Sequence, residues 1–321
     1  MTANEHWSNY WLTSQVSACG DGMLYDDQLG IKWKHFFSQV KSPFRLLDLG
    51  TGNGYIARLA ADEAEKKCIE FHITGIEYAD LSFKELIAYI NSKGGEFKGH
   101  ALTDMSSISF LEDKYDIVTS QFSFEYSDWK ETINAIDDKL NVDGILVLAI
   151  HIKTGAYYQG ATHEIMLAEY FLNKVNLIKF VRNTIIENKL TLNSVSNEIL
   201  QEKIDHMISV GQSYFRRIKL DLNLNSYPNF ITNIFEVTSS IILNLRNIDE
   251  SFVILKLDEL EASLNFHTER LNNLIDGAFS IENIETLKAE LRTKGFNNII
   301  VEEVRREIDQ NAISWFVQAK K

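Results

Sequence analysis

The sequence has few of the residues that mark several common classes of protein. Only two cysteines, Cys19 and Cys68, occur among 321 residues, and they form neither a disulfide framework nor a metal-ligand pattern. Two prolines and the lack of a repetitive or Ser/Gly-rich tract leave no evident flexible linker. No apolar run is long enough to span a bilayer, and the first residues show no signal-peptide pattern. We therefore expect a cytoplasmic protein with no metal and no membrane partner.

Positive charge is also scarce. The chain has 32 Lys and Arg against 45 Asp and Glu, a formal net charge of −13. Such a balance argues against a broad electrostatic footprint for nucleic acid or an anionic membrane. The remaining composition, 45% hydrophobic and 24% charged, is that of a soluble globular protein with a sizeable core.

The most informative stretch is a short apolar strand, residues 44–49, followed by Gly50-Thr51-Gly52-Asn53-Gly54 and a helical pattern from Tyr55. Glycines let the backbone turn sharply and leave no side chain between it and a ligand, and the free N–H groups of a helix start point at the same place. A nicotinamide-binding turn reads Gly-x-Gly-x-x-Gly, and here the third glycine comes one residue too early. Asp48, just before the turn, favours a cationic ligand and would repel a pyrophosphate.

The pattern Asp-x-Gly-x-Gly-x-Gly between strand and helix resembles the first motif of the class I S-adenosylmethionine (SAM) methyltransferases. The resemblance implies a doubly wound α/β fold with a seven-stranded, mostly parallel sheet, SAM as the cofactor, and methyltransferase activity. It covers residues 31–153 and 280–321. The residues that it assigns to the methionine part of SAM are Asp48, Gly50, Thr51, Gly52 and Gly54. A Rossmann-like turn for another nucleotide is the alternative.

Further candidate cofactor residues follow successive predicted strands, whose carboxyl ends meet at one edge of a parallel sheet. Glu77 ends the second strand, where a carboxylate can accept both ribose hydroxyls of a nucleoside. The other cofactor contacts that the resemblance implies are Tyr25, Tyr78, Asp104, Met105 and Gln121. Of these, Asp104 and Met105 would meet the adenine. The structural alternatives are an exposed carboxylate at a strand end and an aspartate of an ordinary turn.

Candidate catalytic residues are Glu125, Tyr126 and His151. The stretch 121–126 is similar to the Gln-Phe-x-x-His-Tyr stretch of messenger-RNA cap guanine methyltransferases, but Glu125 replaces the histidine, which argues against cap methylation. Glu125 and Tyr126 suit substrate orientation or proton acceptance, and His151, after the fifth strand, suits a general base. Alternatively, the aromatic residues of this stretch pack the turn and His151 is structural.

We divide the chain into a lid helix and loop (1–30), a SAM-binding Rossmann-like core (31–153), a helical insertion or cap (154–279) and the end of the core (280–321). Trp7, Tyr10 and Trp11 share one helical face, as either a lid or a terminal helix packed on the core. The helix at 251–276 carries an apolar stripe in a four-three repeat, which favours packing among the inserted helices or, alternatively, a homodimer.

These features predict methyl transfer to a small or medium-sized acceptor, a metabolite or natural-product intermediate enclosed under the helical cap. Two alternatives stay open. One is a methyltransferase that acts on protein or RNA, although the net charge disfavours nucleic acid. The other is a non-catalytic SAM-binding scaffold that dimerises through the inserted helices.

Overall fold

The computed structural model describes residues 7, 8, 10, 11, 27–170, 177–188, 197–221, 229–243 and 249–321. The predicted cofactor residue Tyr25 lies outside the described residues. The chain divides into two compact units, Met1–Ala161 with Asn272–Lys321, and Thr162–Leu271.

A seven-stranded sheet forms the centre of the first unit. Its strands are β1 (Phe44–Leu49), β2 (Phe71–Ile76), β3 (Glu96–His100), β4 (Tyr115–Gln121), β5 (Leu140–His151), β6 (Asn297–Arg305) and β7 (Ala312–Lys320). Their order across the sheet is β3-β2-β1-β4-β5-β7-β6. The strands β1 to β5 pair in parallel, and β7 runs antiparallel to both β5 and β6. The predicted doubly wound, mostly parallel sheet is confirmed.

Helices cover both faces of this sheet. They are α1 (Gln28–Gln39), α2 (Tyr55–Lys66), α3 (Lys84–Ser92), α4 (Trp129–Lys139) and, after the inserted unit, α10 (Ile281–Thr293). One apolar cluster joins α1, α2 and α3 to the face that bears Leu46. A second cluster joins α4 and α10 to the face that bears Leu47. Alternate residues of β1 therefore face opposite layers, as expected for a strand buried on both sides.

Residues 141–144, Asn-Val-Asp-Gly, have a sequence typical of a turn but are part of β5. The backbone N–H of Asp143 donates to the carbonyl of Lys321, and the N–H of Lys321 donates to the carbonyl of Gly144. These bonds extend the ladder with β7 beyond the bounds that the local turn residues suggest. Asp143 takes a left-handed conformation, with φ +66°, and the register between β4 and β5 shifts near Tyr115.

The second unit is helical. Its elements are α5 (Ala156–Tyr170), α6 (Leu177–Asn188), α7 (Asn197–Asp221), α8 (Asn229–Leu243) and α9 (Glu250–Gly277), and the bounds of the unit fall inside α5 and α9. The compact unit is shorter than the predicted insertion 154–279, because α5 begins in the first unit and α9 ends in it. Within the described residues, no helix is long and apolar enough to cross a membrane.

The apolar stripe of α9 is buried within a single chain. Its members Val253, Leu257, Leu260, Leu264, Leu271 and Leu274 are all 8% exposed or less. His267, on the same helix, lies 2.9 Å from a carboxylate oxygen of Glu164. This burial favours intramolecular packing over the alternative homodimer through 251–276.

Candidate active site

The glycine turn is tied to the end of the neighbouring strand. The backbone N–H groups of Gly50 and Thr51 both donate to the carbonyl of Ile76, at 2.8 and 2.9 Å. Gly50, Gly52 and Gly54 have φ values of +68°, +51° and +86°, in the left-handed region that favours glycine. Gly54 is the N-cap of α2. The sequence folds this way because glycine adopts positive φ at little cost, and three closely spaced glycines allow the tight turn between β1 and α2.

Asp48 lies buried beneath this turn. Its two carboxylate oxygens accept hydrogen bonds from the hydroxyls of Thr51, at 2.7 Å, and Thr119, at 2.8 Å. Burial raises the pKa of Asp48 to about 7, the two hydroxyls lower it, and the nearby charge of Glu77 raises it further. Asp48 thus fixes the turn to β4 through Thr119, a residue that the sequence analysis did not single out.

Glu77 joins the glycine turn to the loop after β2. One carboxylate oxygen accepts from the backbone N–H of Gly52 at 2.8 Å, and the other accepts from Ala79 N–H at 2.9 Å. Burial raises the pKa of Glu77, and the backbone N–H donors oppose that shift. The structure therefore brings the predicted ribose residue into direct contact with the predicted methionine-binding turn.

The described N-terminal residues lie along the same edge of the sheet. The ring of Trp11 contacts Gly52, since a Cβ built there would stand 2.4 Å from Trp11 Cζ2. The hydroxyl of Ser8 accepts from the N–H of Asp80 at 2.9 Å, and the rings of Trp7 and Tyr126 lie 5.3 Å apart. These contacts reach the ends of β1, β2 and β4, which supports the lid interpretation of this segment.

The other predicted cofactor residues differ in their surroundings. Asp104 is exposed and accepts from the N–H and hydroxyl of Ser106. Met105 is buried, with its Cε 3.7 Å from the position of a Cβ built on Gly50, and Tyr78 is 40% exposed.

The side chain of Gln121, by contrast, is bound by a residue of α1. Its side-chain oxygen accepts from the indole N–H of Trp33 in α1 at 2.6 Å. The structure therefore gives the side chain of Gln121 a partner within the core. Ser123, which the sequence analysis did not single out, fills the space beside Gly50, where a built Cβ would stand 1.9 Å from its Oγ.

The three candidate catalytic residues form one cluster at the ends of β4 and β5. Oε1 of Glu125 accepts from the backbone N–H of His151 at 2.9 Å and lies 2.7 Å from its Nδ1. The hydroxyl of Tyr126 lies 3.3 Å from the same Nδ1. The ring of His151 stacks on Phe122, with centroids 4.1 Å apart. Glu125 and His151 are both buried, so the contact between them is shielded from water.

The carboxylates and the glycine turn at this edge of the sheet fit SAM. The glycines give the turn a backbone without side chains of its own, on which Trp11 and Ser123 pack. Carboxylates stand near the end of β1 at Asp48 and after β2 and β3 at Glu77 and Asp104. A nucleoside offers hydroxyl and amino donors to carboxylates, and a sulfonium offers them a positive charge. Burial raises the pKa of Asp48 and of Glu77, because it disfavours the charged form of a carboxyl group. The fold is the one that the resemblance to class I SAM methyltransferases implies.

A family model described as a methyltransferase domain matches residues 25–189, just over half of the chain. The chain belongs to this family. No curated protein matches the sequence. Among the described residues, no group of three or more His, Cys, Asp or Glu side chains is placed to hold a metal ion.

Solved structures with a partial likeness include three bacterial proteins. A SAM-dependent methyltransferase from Mesorhizobium loti is 17% identical over 41% of this chain and 57% of that chain, with a TM-score of 0.32. A SAM-dependent methyltransferase from Clostridium acetobutylicum is 18% identical over 49% of this chain and 53% of that chain, with a TM-score of 0.28. TehB from Haemophilus influenzae is 17% identical over 37% of this chain and 40% of that chain, with a TM-score of 0.29. The chain thus aligns with less than two thirds of each of them. The family assignment rests on the sequence match.

Proposed function

We propose that this protein transfers the methyl group of SAM to a small or medium-sized acceptor, a metabolite or natural-product intermediate. The observation that carries the proposal is the meeting of the glycine turn, Glu77 and the buried Glu125–His151 pair at one edge of the sheet. Bound SAM supplies an activated methyl group on a positively charged sulfur. The protein then has to bind, align and desolvate the two reactants.

The residues that would hold SAM follow the order of the strand ends. The turn that contains Gly50, Thr51, Gly52 and Gly54, with Asp48 beneath it, would hold the methionine part. Glu77 and Tyr78 would hold the ribose, and Asp104 and Met105 the adenine. Tyr25 and Gln121 complete the proposed set. For Gln121 the backbone or the amide nitrogen would have to serve, because its side-chain oxygen already accepts from Trp33.

The Glu125–His151 pair would serve the acceptor. A carboxylate within hydrogen-bond reach of an imidazole holds the ring in one orientation and stabilises it when it gains a proton. Tyr126, beside Nδ1 of His151, adds a hydroxyl for positioning. These three groups would remove a proton from the acceptor and keep it away from solvent during transfer.

The helical insertion begins and ends beside this cluster. The N–H of Phe279 donates to the carbonyl of His151 at 2.8 Å, and the N–H of Lys153 donates to the carbonyl of Phe279 at 3.0 Å. The two ends of the inserted chain are therefore tied together at the end of β5. Segments inserted at the ligand-binding edge of an α/β sheet commonly carry substrate selectivity.

Two measurements test the proposal. Labelled SAM should bind the protein, with NAD as the matched control ligand; absence of SAM binding or tight binding of NAD would overturn the cofactor assignment. Incubation with methyl-labelled SAM and fractionated cell extract should then place label in small molecules. Label in protein or RNA would support the macromolecular alternative, and SAM binding without any transfer would support the scaffold.

A further inference from the structure

One buried oxygen at the candidate active site lacks a hydrogen-bond partner. Oε1 of Glu125 is engaged by His151, whereas Oε2 is buried and has no partner among the described residues. The Glu125 side chain is fully enclosed, with 0% of its surface exposed. Burying a carboxylate oxygen without a donor is costly, because the lost contact with water is not replaced. Such an atom in a native structure requires a physical explanation.

The contrast with the other buried acids of this edge is informative. Both oxygens of Asp48 accept from hydroxyls, and both oxygens of Glu77 accept from backbone N–H groups. The protein itself therefore donates hydrogen bonds to all four carboxylate oxygens of Asp48 and Glu77. At Glu125 it satisfies only the oxygen that faces His151. The remaining oxygen is suited to a donor that the described residues do not supply.

The charge around the site indicates what kind of donor this is. The segments at the carboxyl ends of β1 to β4, residues 48–55, 77–83, 100–106 and 121–129, contain neither Lys nor Arg, and the segment after β5 contains one basic residue, Lys153. Their acidic members are Asp48, Glu77, Asp80, Asp104, Glu125 and Asp128. A carboxylate acceptor would be repelled here, a neutral hydroxyl would gain a hydrogen bond only, and an ammonium group would gain both a hydrogen bond and charge neutralisation.

We propose that the methyl acceptor is an amine and that Oε2 of Glu125 binds its nitrogen once the side chains that enclose this oxygen move aside. This inference rests on the proposed function. The ammonium form docks on Oε2 and gives one proton to the Glu125–His151 pair. The acceptor nitrogen then forms a bond to the methyl carbon with its lone pair, while the carbon–sulfur bond of SAM breaks and leaves its electron pair on sulfur. The products are the methylated ammonium ion and S-adenosylhomocysteine, and the proton leaves the Glu125–His151 pair for solvent.

The first test measures binding without turnover. Protein saturated with S-adenosylhomocysteine is titrated at pH 7.5 and 150 mM salt with three probes of one scaffold, benzylamine, benzyl alcohol and benzoate, and binding is followed by ligand-detected NMR. The amine should bind at least about tenfold more tightly than the alcohol, with benzoate weakest. Equal affinities, or no measurable preference for the amine, would overturn the proposal without any variant being made.

A pair of variants locates the preference. Glu125→Gln keeps the shape of the side chain and removes its charge, and it should abolish the preference for the amine. Glu131→Gln makes the same chemical change on the exposed surface of α4 and should leave the preference intact. If both variants keep it, or both lose it, the amine binds through the general acidity of the protein and not through Glu125. A thermal melt and SAM affinity equal to wild type show that each variant is folded.

The second test uses the reaction itself. Mass spectrometry of the labelled product from cell extract should place the new methyl group on nitrogen. A methyl group on oxygen, carbon or sulfur overturns the amine assignment and leaves the proposed methyltransferase function standing. Failure to bind SAM removes the proposed function, and this outcome is distinguished because SAM binding is measured separately.

Discussion

The indole of Trp11 lies on the backbone of Gly52. A Cβ on Gly52 would stand 2.4 Å from Cζ2 and 2.5 Å from Cη2 of the ring, so ring and turn meet only because position 52 has no side chain. Gly52 also donates its N–H to Glu77. One glycine thus links the N-terminal aromatic residues to the carboxylate at the end of β2. If the segment is a lid, this contact is where it would meet the candidate cofactor site.

Replacing the ring tests that interpretation. Trp11→Ala should weaken SAM binding by about 3- to 30-fold, the range expected for loss of an aromatic face beside a cation. Trp11→Phe should recover much of the affinity, because a smaller ring keeps a π-face over the turn. Isothermal titration calorimetry with SAM measures both variants. Unchanged affinity for Trp11→Ala would show that the segment only packs on the core, and tighter binding would show that the ring occupies cofactor space.

Gly52→Ala separates backbone strain from contact with Trp11. The matched control is Gly94→Ala, because Gly94 also has a left-handed φ, +82°, but a Cβ there meets nothing within 4 Å. Each variant should lower the free energy of unfolding by about 1 kcal/mol through its backbone conformation. Only Gly52→Ala should also weaken SAM binding, since its methyl group must displace the ring. Equal SAM affinities for the two variants would contradict the placement of SAM at this turn.

Glu77→Ala should weaken SAM binding at least about tenfold. The substitution removes the proposed ribose acceptor and leaves the N–H groups of Gly52 and Ala79 without their buried partner, a loss of roughly 1–3 kcal/mol per group in stability. Glu77→Gln retains an acceptor oxygen and should be less destabilising. Asp80→Ala, an exposed acid of the same loop, is the control and should leave affinity unchanged. If Glu77→Ala is folded and binds SAM with the wild-type affinity, the assignment of Glu77 to the ribose is wrong.

The fold was predictable because its signals are local. Apolar strand runs, a glycine turn of fixed spacing and helical patterns between strands together indicate a doubly wound α/β fold, and in the sheet β1 to β5 lie in the order β3-β2-β1-β4-β5. The strand bounds were less predictable where distant pairing decides them. Residues 141–144 read as a turn from their own chemistry, and only the ladder to β7 makes them part of a strand.

The candidate site was predictable in its positions and not in its contacts. Glu77, Glu125 and His151 were placed at strand ends from the pattern alone. The hydrogen bond between Gln121 and Trp33 joins residues 88 positions apart, and the contact of Trp11 with Gly52 joins a terminal segment to a turn. No periodicity in the sequence encodes such pairs. Amphipathic helices likewise show which face is buried but not its partner, which left packing and dimerisation open for the stripe of α9.

Asp48 should make the stability of the protein depend on pH. Burial raises its pKa to about 7 in the folded state, against 3.8 for the ordinary carboxyl, so between about pH 4 and 7 the folded form binds more protons than the unfolded form. Its contribution to the free energy of unfolding therefore falls as pH rises through this window, by about 2–4 kcal/mol in all. Asp48→Asn mimics the protonated form and should gain stability relative to wild type as pH rises, while the exposed control Asp80→Asn should not. Urea denaturation from pH 4 to 8 measures the difference, and parallel curves for wild type and Asp48→Asn would show that the buried carboxyl titrates normally.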